Sequence, residues 1–143
     1  MKKYAWIVLI LFCCAWKNPD TRGTLKVRVY GLRNASGFAR VSLYNKPDTF
    51  LQEKGALWTT IAAIYGNEAV IVFKDTPAGG YAVAVLHDEN ANAKMDYNWL
   101  GIPAEGYGFS RVHAPVIAKP SFVECKLTVE AGKELTTLVM VGY

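Results

Sequence analysis

Residues 80–110 read GYAVAVLHDENANAKMDYNWLGIPAEGYGFS, and a change of pattern inside them sets the fold. From Tyr81 to Leu86 the side chains alternate in size, the period of two expected of a strand whose neighbours face opposite ways. Side-chain oxygens then fall at every second position, Asp88, Asn90, Asn92 and Asp96, with Lys94 between the last two. A strand that runs into such a series ends in a tightly coiled loop.

Working outward, the period of two recurs along the chain. Leu25–Tyr30 alternates apolar with basic residues, and Arg40–Tyr44 follows a turn containing Asn34, Ser36 and Gly37. Leu57–Ile64, Ala69–Phe73, Phe122–Val129 and Leu135–Val141 complete a set of about seven strands at roughly ten-residue spacing. Tyr65–Glu68 reads as a hairpin turn, and Thr76–Gly80 and Glu130–Lys133 as tight turns. The pattern predicts an all-β fold, an antiparallel β-sandwich of immunoglobulin-like or transthyretin-like type. Two stretches break it: Pro47–Gly55 reads as a short helical turn, and residues 88–121 form one long excursion with no clear strand.

The oxygen spacing is that of a calcium loop. A hard cation takes several oxygens at ~2.3–2.6 Å, supplied by loop positions 1, 3, 5 and 9 with the carbonyl of position 7. Here those are Asp88, Asn90, Asn92, Asp96 and the Lys94 carbonyl. Ala93 stands where such loops turn on glycine, and Trp99 where a bidentate Glu closes the shell. With two carboxylates and two amides, calcium would bind weakly, on the order of 10⁻⁴–10⁻³ M. Glu89 and Glu105 are further oxygen sources outside the repeat. The other reading of the same residues is a metal-free loop in which Asp and Asn bond backbone N–H groups as Asx-turns.

Trp99, Leu100, Ile102, Tyr107 and Phe109 are too apolar for a solvated loop, so the excursion is expected to pack back over one end of the sandwich. Gly101, Gly106 and Gly108 would then supply positive φ or close backbone approach. Alternatively Trp99, Tyr107 and Phe109 form a shelf on which a sugar ring or peptide stacks, for a glycan or protein partner.

At the N-terminus, Lys2 and Lys3 precede the uncharged run Tyr4–Trp16, the layout of a secretory signal and too short for a spanning helix of roughly 20 residues. Residues 1–16 are assigned to that signal, 17–23 to a linker and 24–143 to one domain. Leu11-Phe12-Cys13-Cys14 is similar to a lipoprotein signal, in which Cys14 would carry a lipid anchor, the one membrane attachment expected. Cleavage without acylation is the alternative, so the protein is expected to be exported, whether periplasmic, anchored at the outer membrane or secreted. Lys2 and Lys3 belong to this leader, and the 16 basic and 12 acidic residues are otherwise nearly balanced, without the clustered basic face that nucleic acid requires. Cys125 has no internal disulfide partner and is expected as a buried, inert thiol.

For catalysis the sequence offers little. His87 beside Asp88, or with Glu105, is the one arrangement that sketches a base with its orienter, the basis of a small hydrolase as the alternative function. Neighbours at the end of a strand face opposite ways, and no nucleophile elbow, phosphate loop or zinc-helix motif is present. His87 is expected instead to donate a hydrogen bond to a backbone carbonyl.

Phe73–Val85, His87–Asn90, Lys94–Asp96, Leu100–Pro103 and Glu105–Ser110, with Pro120–Phe122 and Val141–Tyr143, give the chain its family likeness. Over about residues 24–143 it resembles the bacterial family called domain of unknown function 2141. The resemblance implies an exported β-sandwich protein whose biochemical activity has not been assigned. This chain departs at Ala91 and Ala93, where the family usually has glycine. Together these readings describe a non-catalytic module of the cell envelope.

Overall fold

The alternation of the sequence reappears as alternation of burial. In strand β1 (Arg22–Tyr30), Leu25, Val27 and Val29 are buried while Lys26 and Arg28 between them are not. The structure, a computed structural model, describes residues 21–143 apart from 53 and 114–117. The signal assigned to residues 1–16 and most of the linker lie outside the described residues. β1 takes up Arg22 and Gly23, so the domain begins slightly before residue 24.

The other strands are β2 (Phe38–Tyr44), β3 (Trp58–Ala62), β4 (Glu68–Pro77), β5 (Gly79–Asp88), β6 (Gly106–Phe109), β7 (Leu127–Val129) and β8 (Glu134–Met140). They form two sheets, one of three strands ordered β4-β1-β8 and one of five ordered β3-β2-β5-β6, with β7 paired to the start of β5. Pairing is antiparallel except between β1 and β8, which run parallel from Thr24–Glu134 to Tyr30–Met140. That exception to the antiparallel expectation follows from the turn after β7. The turn carries the chain across to the other sheet, where Gly132 N–H donates to the Arg22 carbonyl and Thr24 N–H to the Lys133 carbonyl, delivering β8 to the free edge of β1.

Between the sheets, Leu25, Val27, Val29, Ile71, Phe73 and Val139 meet Ala39, Val41, Leu43, Val83 and Val85. Each such side chain, taken from water to full burial, contributes about 1.5–3 kcal/mol. Pro47–Thr49 is a short 3₁₀ turn, as the Pro47–Gly55 stretch predicted. It brings Phe50 and Leu51 over the outer face of the five-stranded sheet, where a second cluster of Tyr44, Ala82, Phe109, Phe122 and Cys125 forms.

Two expectations are corrected. Phe122–Val129 is not one strand: Phe122–Cys125 is a single helical turn, α1, and only Leu127–Val129 is extended. Ser121 accepts from the Glu124 N–H at 3.3 Å while the Glu124 carboxylate accepts from Ser121 N–H at 2.7 Å, a reciprocal cap that outweighs the strand-like alternation. The excursion also contains a strand, β6, paired to Ala84–His87 of β5. Its glycines are there for room: a Cβ on Gly106 would stand 2.4 Å from the Tyr143 ring, and one on Gly108 2.2 Å from the Met140 carbonyl. Cys125 is fully buried, and burial with the nearby Glu124 charge, opposed by Arg111, raises its thiol to about 11.

Candidate functional site

Asp88 is the last residue of β5, and its carboxylate organises the loop that follows. Its Oδ1 accepts from Asn92 N–H at 3.0 Å and its Oδ2 from Ala93 N–H at 2.9 Å. Asn90 Oδ1 accepts from Asn92 N–H and Asn92 Oδ1 from Lys94 N–H, two successive Asx-turns. The coil is tight enough to force Ala91 to φ 58° and Ala93 to φ 67°, the left-handed region that costs a residue with a Cβ roughly 1–2 kcal/mol. Asp96 closes the ring, accepting from the Asn90 amide at 2.6 Å and the Asn92 amide at 3.0 Å. Lys94 is exposed and enters through its backbone N–H.

The residues singled out as ligands are therefore brought together, and their oxygens are already engaged. Turning the Asn90 or Asn92 amide to present Oδ1 to a cation would break the Asx bonds to Asn92 or Lys94 N–H. Among the described residues no group of three or more His, Cys, Asp or Glu side chains is placed to hold a metal. As they stand, Asn90 and Asn92 turn N–H donors, not oxygens, toward Asp96.

Glu105, buried to 5% exposure, ties the loop at both ends: its carboxylate accepts from Glu89 N–H at 2.9 Å and from Asp96 N–H at 3.3 Å. Glu89 in turn meets Arg33 at 2.6 Å and Asn34 at 3.1 Å. Burial pushes the Glu89 carboxyl up, but the hydrogen bonds from Asn34 and Arg33 and the nearby positive charge outweigh it and hold it below the ordinary value.

His87 and Asp88 do not share a site. His87 is fully buried, with Nε2 3.0 Å from the Ser36 carbonyl and Nδ1 2.5 Å from the Tyr143 hydroxyl. A carbonyl only accepts, so Nε2 carries a proton toward Ser36, and Nδ1 is bonded to the Tyr143 hydroxyl. Tyr143 itself accepts from Arg33 N–H at 3.0 Å, completing a chain that fastens three segments, as a structural histidine would. Burial raises the Tyr143 hydroxyl above its usual value. Ser110 is likewise occupied, donating to the Cys125 carbonyl and accepting from Val83 N–H.

The packing expected for the excursion holds for one half only. Phe109 is buried and Tyr107 half-buried against it. Trp99, Leu100 and Ile102 do not fold back: Trp99 is 90% exposed, Leu100 60% and Ile102 54%. A self-sufficient turn holds them out. Asn98 Oδ1 accepts from Leu100 N–H and Ile102 N–H, Gly101 N–H donates to the Asn98 carbonyl, and Asn98 N–H to the Ile102 carbonyl. With its backbone bonded locally, the tip does not need the sandwich.

Beneath the excursion lies a groove of about 400 Å³ on the outer face of the five-stranded sheet. Ala84, Leu86, Tyr107 and Phe109 floor it, and Met95 and Pro103 come from the excursion. Arg40 and Lys119 also line it. The shelf expected from Trp99, Tyr107 and Phe109 is thus divided, with Tyr107 and Phe109 in the groove and Trp99 on the tip. Sequence reasoning missed Arg40, because outward-facing basic residues on an alternating strand read as ordinary solvated positions.

Fold and loop together define a small β-sandwich with a self-bonded Asp/Asn loop and a protruding apolar tip. Residues 27–137 match the family described as "Uncharacterized protein conserved in bacteria (DUF2141)", and the chain belongs to that family. No curated protein and no solved structure matches it.

Proposed function

We propose that the protein is a non-catalytic, exported module of the cell envelope that engages a protein or glycan partner through the tip of its 88–110 excursion. The observation that carries this reading is Trp99, 90% exposed beside Leu100 and Ile102 on a turn closed by Asn98. Ordering costs oppose any recognition by a mobile loop. Here the turn is built beforehand, and the Glu105 and Asp88 bonds fix its base. A large amphipathic ring on a rigid support is the kind of anchor that dominates binding interfaces. Catalysis finds less support, since His87, Asp88, Glu105 and Ser110 each hold structural hydrogen bonds. The test is retention on native cell envelopes, comparing the protein with Trp99→Ser and Leu100→Ser. Retention should fall while the melting point stays put, as surface changes cost within about 0.5 kcal/mol. Unchanged retention in both variants refutes the reading.

The oxygen spacing of Asp88, Asn90, Asn92 and Asp96 supports a second element of the proposal, weak calcium binding at the loop, which would require the Asn90 and Asn92 amides to turn away from Asp96. A melt in 10 mM calcium against chelator checks it. Linkage gives ~2.7 kcal/mol at a hundredfold excess over Kd and far less near it, and no shift removes the ion.

A further inference from the structure

We propose that the groove beneath the excursion binds a small apolar carboxylate, with Arg40 holding its head group. At about 400 Å³ the groove falls within the ~300–1,000 Å³ typical of small-molecule sites. Its charge is one-sided among the described residues: Arg40 and Lys119 line it, and no described Asp or Glu does. Asp88 stands 3.6 Å from Arg40 Nε, but it is 1% exposed and both its oxygens accept loop N–H groups. That leaves Arg40 with an ion contact longer than a hydrogen bond, and its buried Nε has no hydrogen-bond partner among the described residues. A guanidinium presents its N–H groups as a planar fork, and a carboxylate is the acceptor that matches it.

The rest of the lining selects the body of the ligand. Leu51, Leu86, Met95, Pro103 and Phe109 offer surface without side-chain donors, the Ser42 hydroxyl is already paired with Thr59 at 2.9 Å, and the other hydroxyls in the lining are those of Tyr44, Tyr97 and Tyr107. A sugar ring, with a hydroxyl on nearly every carbon, would lose more hydration there than three tyrosine hydroxyls replace, whereas an aliphatic chain gains by burial. Trp99 does not line the groove, so this site is separate from the tip and does not depend on it.

Dodecanoate is the probe, with dodecanol as its uncharged counterpart, each below micelle-forming concentration. Titration into the protein, followed calorimetrically and by amide NMR shifts, should show saturable one-to-one binding of dodecanoate, with shifts at Leu86, Tyr107 and Phe109. Arg40→Met should weaken it by about tenfold or more and bring dodecanoate level with dodecanol. Where Arg40→Met does not fold, Arg40→Lys keeps the charge, loses the fork, and should weaken binding by about threefold. Trp99→Ser should bind as the unaltered protein does. The proposal is overturned by absence of saturable binding, by equal binding in the Arg40 variants, by dodecanol binding as tightly, or by shifts confined to residues 98–102.

Discussion

Replacing Asp88 with Ala should cost far more than replacing Asp96, although both carboxylates belong to the same loop. Asp88 is 1% exposed, and its two oxygens satisfy two backbone N–H groups. Hydrogen bonds to a charged group contribute about 1.5–3 kcal/mol each, so losing both gives roughly 3 kcal/mol even if the loop relaxes enough to admit water. Arg40 would lose its counter-charge as well. Asp96 accepts only from the exposed amides of Asn90 and Asn92, and water can replace those donors, so Asp96→Ala should cost about 0.5–1 kcal/mol. At roughly 4 °C per kcal/mol for a domain of this size, the melting point should fall by about 12 °C for Asp88→Ala and by about 2–4 °C for Asp96→Ala. Urea unfolding monitored by circular dichroism gives the same comparison as a midpoint shift at unchanged slope. Equal losses in the two variants, or a loss under about 1 kcal/mol for Asp88→Ala, would refute the account of the loop as a structure held by Asp88. Equal losses together with a calcium-dependent melt would point to a resident ion instead.

Further outcomes follow from the same geometry. Ala93→Gly relieves a φ of 67°, and the gain of roughly 1–2 kcal/mol outweighs the chain entropy of about 0.5–1 kcal/mol, so its melting point should rise slightly. Tyr143→Phe removes the hydroxyl linking Arg33 N–H to His87 and should destabilise by about 1–3 kcal/mol, read by thermal melt; no change would mean that water takes over both bonds. Glu89 is held below its ordinary value when folded, so its contribution is complete above the unfolded-state value near ~4.3 and is lost as pH falls through the lower folded one. Glu89→Gln should therefore be less stable than the unaltered protein at neutral pH, with the difference closing in acid; a constant difference from pH 7 to 3 contradicts that origin.

Strands with regular alternation were legible because one face is buried, as in Leu25–Tyr30 and Arg40–Tyr44. Phe122–Val129 misled because its apolar spacing fits a strand, while the decisive signal was Ser121 three residues before Glu124, a helix-start pattern. β6 escaped notice because Gly106 and Gly108 are poor strand formers, and what demands them, the Tyr143 ring and the Met140 carbonyl, is distant in sequence. At the loop, the spacing of Asp88, Asn90, Asn92 and Asp96 foretold convergence, but not that backbone N–H groups would take up the oxygens. Trp99 defied the expectation that large apolar residues hide, since local bonding by Asn98 freed the turn from the core.

The parallel pairing of β1 with β8 also bears on how the chain folds. β1 lies in the middle of its sheet, yet one of its neighbours is made more than a hundred residues later, with Tyr30 meeting Met140 and Thr24 meeting Glu134. Until then one whole side of β1 is an open edge able to recruit a strand from another molecule. Contacts between such remote segments slow the search for the native state, so refolding should be unhurried and sensitive to protein concentration. A chaperone that shields residues 22–30 would protect the nascent chain at its most vulnerable point.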